Sequence, residues 1–226
     1  MKKLLKWVFM GFIAYALLTL FACNPNQWET TDGMIIVSTE EGDPYFNPSN
    51  RGLGTAEPIY RWRFQESTKY NLNEGLDVVA FSGDQKDWCK LVGLSWNLFS
   101  NHINTSMVGW RYNPDTDLFQ LNAYSHVNEA RVFTAPLMKI PINETFQTQV
   151  RRVVVDWTDE SVVEIRIKSF SNPDTGYIGE EVSYLQEFQR QNLGANTRKI
   201  GTYFGGNIPT PHYLHLLRSK NRIDTW

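Results

Sequence analysis

Apolar and polar side chains alternate along much of the chain. In Ile59 to Gln65, Tyr60, Trp62 and Phe64 fall on one side and Arg61, Arg63 and Gln65 on the other. That period of two marks a half-buried strand, because successive side chains leave opposite faces of a sheet. Val92, Leu94, Trp96 and Leu98 repeat the pattern, and Met107 to Tyr112 predicts the next strand after a polar turn at Ser100 to Ser106. Asn113-Pro114-Asp115-Thr116-Asp117 is a turn signal that closes a hairpin, since Pro presets one dihedral and Asn and Asp bond their own backbone. In the strand that follows, Phe119, Leu121 and Ala123 form an apolar face, with Gln120, Asn122, Tyr124 and His126 opposite.

Further along, Arg131 to Ile142 is strand interrupted by Pro136 and Pro141, which places it at an edge or bend. A hairpin follows. Its first strand sets Arg151, Val153, Val155 and Trp157 on one face, and after a turn at Asp156 to Glu160 its second points Val163, Ile165 and Ile167 inward and Glu164, Arg166 and Lys168 outward. Gly179 to Leu193 predicts the one helix, from Val182, Leu185 and Phe188 on a helical face with Gly194 as its stop. Met34 to Thr39 is the first strand and Tyr213 to Leu217 the last, and the loop from Glu40 to Pro58 holds Pro44, Pro48 and Pro58. Many short strands with at most one helix predict an all-β domain, an antiparallel jelly-roll sandwich with a closed β-barrel as the alternative.

The amino terminus follows a different pattern. Lys2, Lys3 and Lys6 precede or enter an apolar run from Leu4 to Ala22 that stops at Cys23, which is the layout of a secretion signal. Leu20-Phe21-Ala22-Cys23 resembles the lipobox of bacterial lipoproteins through Leu20, Ala22 and Cys23. The expected organisation is a signal peptide over 1–22, a lipid-bearing Cys23 that opens a polar tether over 23–32, and one domain over 33–226. The resemblance implies a bacterial cell envelope protein held to the membrane, periplasmic or at the cell surface. An uncleaved membrane anchor is the alternative, because the run approaches the ~20 residues that span a bilayer.

Three of the 22 Lys and Arg precede the expected cut and none of the 24 acids does, so the mature chain carries a formal charge of −5. That excludes a nucleic-acid partner as the leading expectation. With Cys23 lipidated, Cys89 has no partner within the chain, so stability has to come from burial of the many Trp, Tyr and Phe side chains.

A second resemblance rests on Trp88-Cys89-Lys90-Leu91-Val92-Gly93, His102 to Ser106 leading into Gly109-Trp110-Arg111, Ala123-Tyr124, Tyr203-Phe204-Gly205-Gly206 and Pro211-His212. Together these segments resemble small bacterial lipoproteins with a concanavalin-like jelly roll, mostly of unestablished activity. The resemblance implies fold and location more than chemistry.

Candidate chemistry centres on Gln120, Asn122, Tyr124 and His126. Such a row lines one face of a strand at about 7 Å intervals, and amide, phenol and imidazole groups match the donors and acceptors of sugar hydroxyls. A solvated outer face is the plainer reading. Arg61, Arg63 and Arg111 would extend the row into a groove, where a guanidinium fork suits a carboxylate or sulfate. The leading expectation is a glycan-binding protein without catalysis. Polysaccharide lyases of this fold use similar residue types, so a lyase acting on acidic glycan stays open, with Tyr124 and His126 as acid and base and Gln120, Asn122 and Arg111 stabilising the enolate. The chain departs from them at Gln120-Leu121-Asn122, which lacks their histidine. A structural or assembly lipoprotein that contacts protein partners through a sheet edge is the third reading. No opposed carboxylate pair, nucleophile elbow or phosphate cradle is legible. His212 and His215 are spaced wrongly for chelation from a strand, no cofactor is implied, and Ca2+ on Asp43, Asn47 or Asp84 is the one metal option.

Overall fold

A computed structural model describes residues 32–47, 52–53, 57–72, 83–97, 100, 102–153, 160–189, 193, 197–205, 210–223 and 226. Cys23, the signal segment, most of the tether, Pro48, Leu98, Val155, Trp157 and Gly206 therefore lie outside the described residues.

The strands are β1 (Met34–Thr39), β2 (Gly52–Leu53), β3 (Ile59–Phe64), β4 (Cys89–Ser95), β5 (Thr105–Asn113), β6 (Leu118–Val127) and β7 (Ala130–Phe133). They continue as β8 (Met138–Ile140), β9 (Thr145–Val153), β10 (Glu160–Ser169), β11 (Glu181–Gln189), β12 (Arg198–Ile200) and β13 (Leu214–Ser219). One sheet has six strands in the order β1-β13-β3-β9-β10-β11. The other has seven, in the order β2-β12-β4-β5-β6-β7, with β8 also paired to β6. Every pairing is antiparallel and the two sheets stay separate, so the domain is a jelly-roll-like β-sandwich and not a closed barrel.

The core between the sheets is aromatic. Phe64 of β3 stacks on Phe119 of β6 with ring centroids 4.0 Å apart, and Phe146 and Trp110 lie 5.1 and 5.3 Å from the same ring. These contacts fix which face of each strand looks inward. Tyr60 and Trp62 share the inward face of β3 with Phe64, while Phe119, Leu121 and Ala123 turn the apolar face of β6 to the core. The hairpins follow their turn chemistry. Asn113 Oδ1 accepts the Asp115 N–H at 3.0 Å and Asp117 takes a positive φ between β5 and β6. Asn128 and Glu129 both take positive φ between β6 and β7, the geometry that matches strand twist in a two-residue turn.

One expected element is overturned. Residues Glu181 to Gln189 form β11, a strand and not a helix, paired with β10 from Glu181↔Lys168 to Gln189↔Glu160. Val182, Leu185 and Phe188 fit a helical face, but Val182, Tyr184, Gln186 and Phe188 also fit a period of two. The pairing with β10 selects the second pattern and leaves Leu185 57% exposed, which a buried helical face does not allow. The expected face of Arg151 and Val153 is the outer one, since Arg151 pairs outward with Glu164 and Phe146 and Val150 fill the core. Val163, Ile165 and Ile167 point inward as expected.

Candidate functional site

The outer face of the seven-stranded sheet is built from alternate residues of β4 to β8. Gln120, Asn122, Tyr124 and His126 lie on it together, opposite Arg111, Gly109, Met107 and Thr105 of β5. β7 adds Arg131 beside His126 and Phe133 beside Tyr124, β8 adds Lys139 beside Gln120, and β4 adds Lys90 beside Gly109. The four expected residues are buried under their neighbours, with Asn122 0% exposed, so they form the floor of the face.

Each floor residue is held by a specific neighbour. Arg111 donates from Nε to Gln120 Oε1 at 2.9 Å and from Nη1 to the Lys86 carbonyl at 2.6 Å, and its guanidinium lies 4.0 Å from the Trp88 ring centroid. Asn122 donates from Nδ2 to the Thr134 carbonyl at 3.2 Å, while its buried Oδ1 has no hydrogen-bond partner. That oxygen lies over Gly109, where a Cβ would overlap it, so the close approach of β6's side chain to β5 depends on glycine. His126 Nδ1 is 3.1 Å from Thr105 Oγ1, and its ring is 5.2 Å from His102 and 5.3 Å from Tyr124.

Tyr124 is the centre of the face. Phe133 stacks beside it at 6.0 Å and is 55% exposed on the rim. From the other side Lys90 Nζ sits 4.2 Å from the Tyr124 ring centroid and 5.2 Å from that of Tyr203, donating to the Trp88 carbonyl at 2.7 Å. Tyr203 bridges to both Lys90 and Tyr45, and Tyr45 is 45% exposed. Burial pushes the Lys90 amine down to about 8 and Arg131 adds to the fall, while Cys89 and Asp87 oppose it. Burial raises the Tyr124 phenol, with Arg131 pulling the other way.

Arg61 and Arg63 do not belong to this face, which corrects the expected groove. The inward packing of Tyr60, Trp62 and Phe64 sends both arginines to the outer face of the six-stranded sheet. There Arg61 donates to Gln147 Oε1 at 3.4 Å and lies 5.3 Å from the Phe170 ring, and Arg63 donates to Thr145 Oγ1 and pairs with Asp32 at 2.8 Å. Arg111 alone of the three arginines joins the row. Sequence reasoning named none of Lys90, Arg131, Phe133, Trp88 and Tyr203 as a site residue, although Trp88, Lys90 and Tyr203 stand among the segments of the family resemblance. The alternations Trp88-x-Lys90 and Arg131-x-Phe133 carried the signal, but which face of the sheet they join depends on strand order.

Among the described residues no group of three His, Cys, Asp or Glu side chains could hold a metal ion. Asp43 instead accepts the Tyr45 N–H at 2.8 Å. Among the same residues no helix is long and apolar enough to cross a membrane.

No family model and no curated sequence matches the chain. Among solved structures it is similar to a crystal structure of scytalido-glutamic peptidase with a transition state analog inhibitor, at 9% identity and a TM-score of 0.29 over 83% of this chain. The chain spans 64% of that structure's length. At that score the likeness carries no argument about activity.

Proposed function

We propose that the protein is a lipid-anchored glycan-binding module of the bacterial cell envelope, that it binds through the outer face of the seven-stranded sheet, and that it does so without catalysis. The observation that carries the reading is the arrangement around Tyr124. Exposed rings at Phe133 and Tyr45 flank a floor of amide, imidazole, phenol and cationic groups, the combination that stacks on pyranose faces and bonds their hydroxyls. The signal-like segment ending at Cys23 supports the location.

Two features favour binding over turnover. The described strand positions of this face carry no carboxylate, so an opposed acid pair has no place on them. The Tyr124 phenol is raised by burial, the wrong direction for a general base near neutral pH. The test is an array of neutral and acidic glycans probed with the wild type and with Phe133→Ala. Saturable binding that weakens roughly three- to tenfold in the variant, about 1 kcal/mol for one stacking ring, is expected. Silence across the array would sink the reading.

A lyase acting on acidic glycan is the second reading. The Tyr124 and His126 rings stand 5.3 Å apart beside cationic groups, which favours it. It requires ultraviolet absorbance from an unsaturated uronate to grow with time in the presence of protein.

A further inference from the structure

We infer that the ligand of this face is an anionic glycan whose carboxylates or sulfates seat between Lys90 and Arg131 beside Tyr124. This rests on the glycan reading and adds the charge of the sugar to it.

The argument begins with how the two outer faces handle their cations. On the six-stranded sheet Arg63, Arg151, Arg166 and Lys168 each have a carboxylate within 4.0 Å, from Asp32, Glu164 and Glu181, while Arg61 rests on Gln147 and the Phe170 ring. None of the ion pairs formed among the described residues involves Lys90, Arg131 or Lys139 of the other face. The mature chain is acidic overall, so a cationic face runs against its average composition. Asp87, before β4, acts on the Lys90 amine and Glu129 sits at the exposed tip of the β6–β7 turn, and neither forms one of these ion pairs.

Lys90 makes the case specific. It is 7% exposed, and buried charges are ordinarily paired because desolvating an ammonium is costly. Here one backbone carbonyl, the faces of Tyr124 and Tyr203 and the nearby charge of Asp87, which forms no ion pair with it, are its compensation. Ring faces attract the cation less than a carboxylate does, so an arriving anion recovers solvation that the fold withholds. The drop in the Lys90 amine's proton affinity is the same deficit seen through its titration. Arg131 stands exposed on the neighbouring edge strand, on the far side of Tyr124, where it hydrogen-bonds the phenol, and a guanidinium fork has further donors for the same group. Exposed Lys139, opposite Gln120, extends the positive field along β6, so successive charges of a polymer meet successive cations.

The experiment titrates the full chain in detergent with polygalacturonate and with alginate, each beside its carboxyl-reduced form, at low and at raised salt. The expected result is at least tenfold tighter binding of a charged polymer than of its reduced form. That preference should shrink with salt, fall at least fivefold in Lys90→Met and in Arg131→Gln, and persist in Arg61→Gln on the other sheet. Arg131→Gln alters an exposed edge residue, so it keeps the test valid even if Lys90→Met disturbs folding. Equal binding of charged and reduced polymers would overturn the anion assignment while leaving the glycan reading standing. Charge-selective binding that survives both substitutions would overturn the assigned seat. Binding of none of the four polymers would remove both.

Discussion

Lys90 ties stability to pH in a direction that can be worked out. Its amine falls from the usual 10.5 to about 8 on folding, chiefly through burial, so between those values the unfolded chain holds the proton that the folded one has lost. Stability therefore rises with pH through that window. Cys89 acts the opposite way above 9.0, because burial raises its thiol to about 11 and the unfolded chain then releases the proton first. The expected outcome is a rise of about 1 kcal/mol between pH 8 and 9 in urea unfolding, followed by a plateau or decline, with the rise absent in Lys90→Met. A flat profile in the wild type would remove Lys90 from its buried position. Gly109 offers a second residue-scale test. An added Cβ overlaps Asn122 Oδ1 and comes 3.5 Å from Trp88 Cε3, so Gly109→Ala should lose about 1 to 3 kcal/mol and displace the Asn122 side chain. An unchanged urea midpoint would show that Asn122 does not lie across β5. Both residues were visible in the sequence, yet nothing local to Lys90 or Gly109 tells that one reaches the Tyr124 ring or that the other makes room for Asn122.

At the scale of elements, β11 shows where periodicity is ambiguous. Its nine residues offer a helical face at 182, 185 and 188 and a strand face at 182, 184, 186 and 188, and the choice falls to the pairing with β10. Strands with clean alternation, such as β3, β6 and β10, were legible because their buried faces admit no second period. The ladder makes a sharp prediction for β11. Ser169 N donates to the Glu180 carbonyl at 2.8 Å, and in the antiparallel register this directs the N–H groups of Val182, Tyr184, Gln186 and Phe188 toward β10. The N–H of Ser183 points to the free edge. Ser183→Pro should therefore change stability by less than about 1 kcal/mol, whereas Tyr184→Pro should cost about 3 kcal/mol or more. Equal losses in thermal unfolding would mean that β11 is not an edge strand in this register. If Ser183→Pro also breaks up complexes isolated with the protein, the sheet-edge reading of its partners gains support.

On the scale of the whole molecule, the two outer faces differ in charge handling, and the expected lipid on Cys23 would hold both near a membrane. Cys23→Ser should move the protein from the membrane fraction to the soluble fraction after cell lysis, and persistent membrane association would favour an uncleaved anchor instead. By itself the sequence determined the all-β character, the hairpin closed at Asn113 to Asp117, and the shared face of Gln120, Asn122, Tyr124 and His126. These follow from interactions between residues close along the chain, where side-chain period and turn chemistry act directly. Only the tertiary structure decided between sandwich and barrel, turned β11 from helix to strand, and sorted the arginines, leaving Arg61 and Arg63 on one sheet and Arg111 on the other. It also brought Lys90 of β4, Tyr124 of β6 and Arg131 of β7 to one spot. Such choices depend on which strands become neighbours, and that order is set by burial of the aromatic core between the sheets, a property of the whole chain that no local window contains.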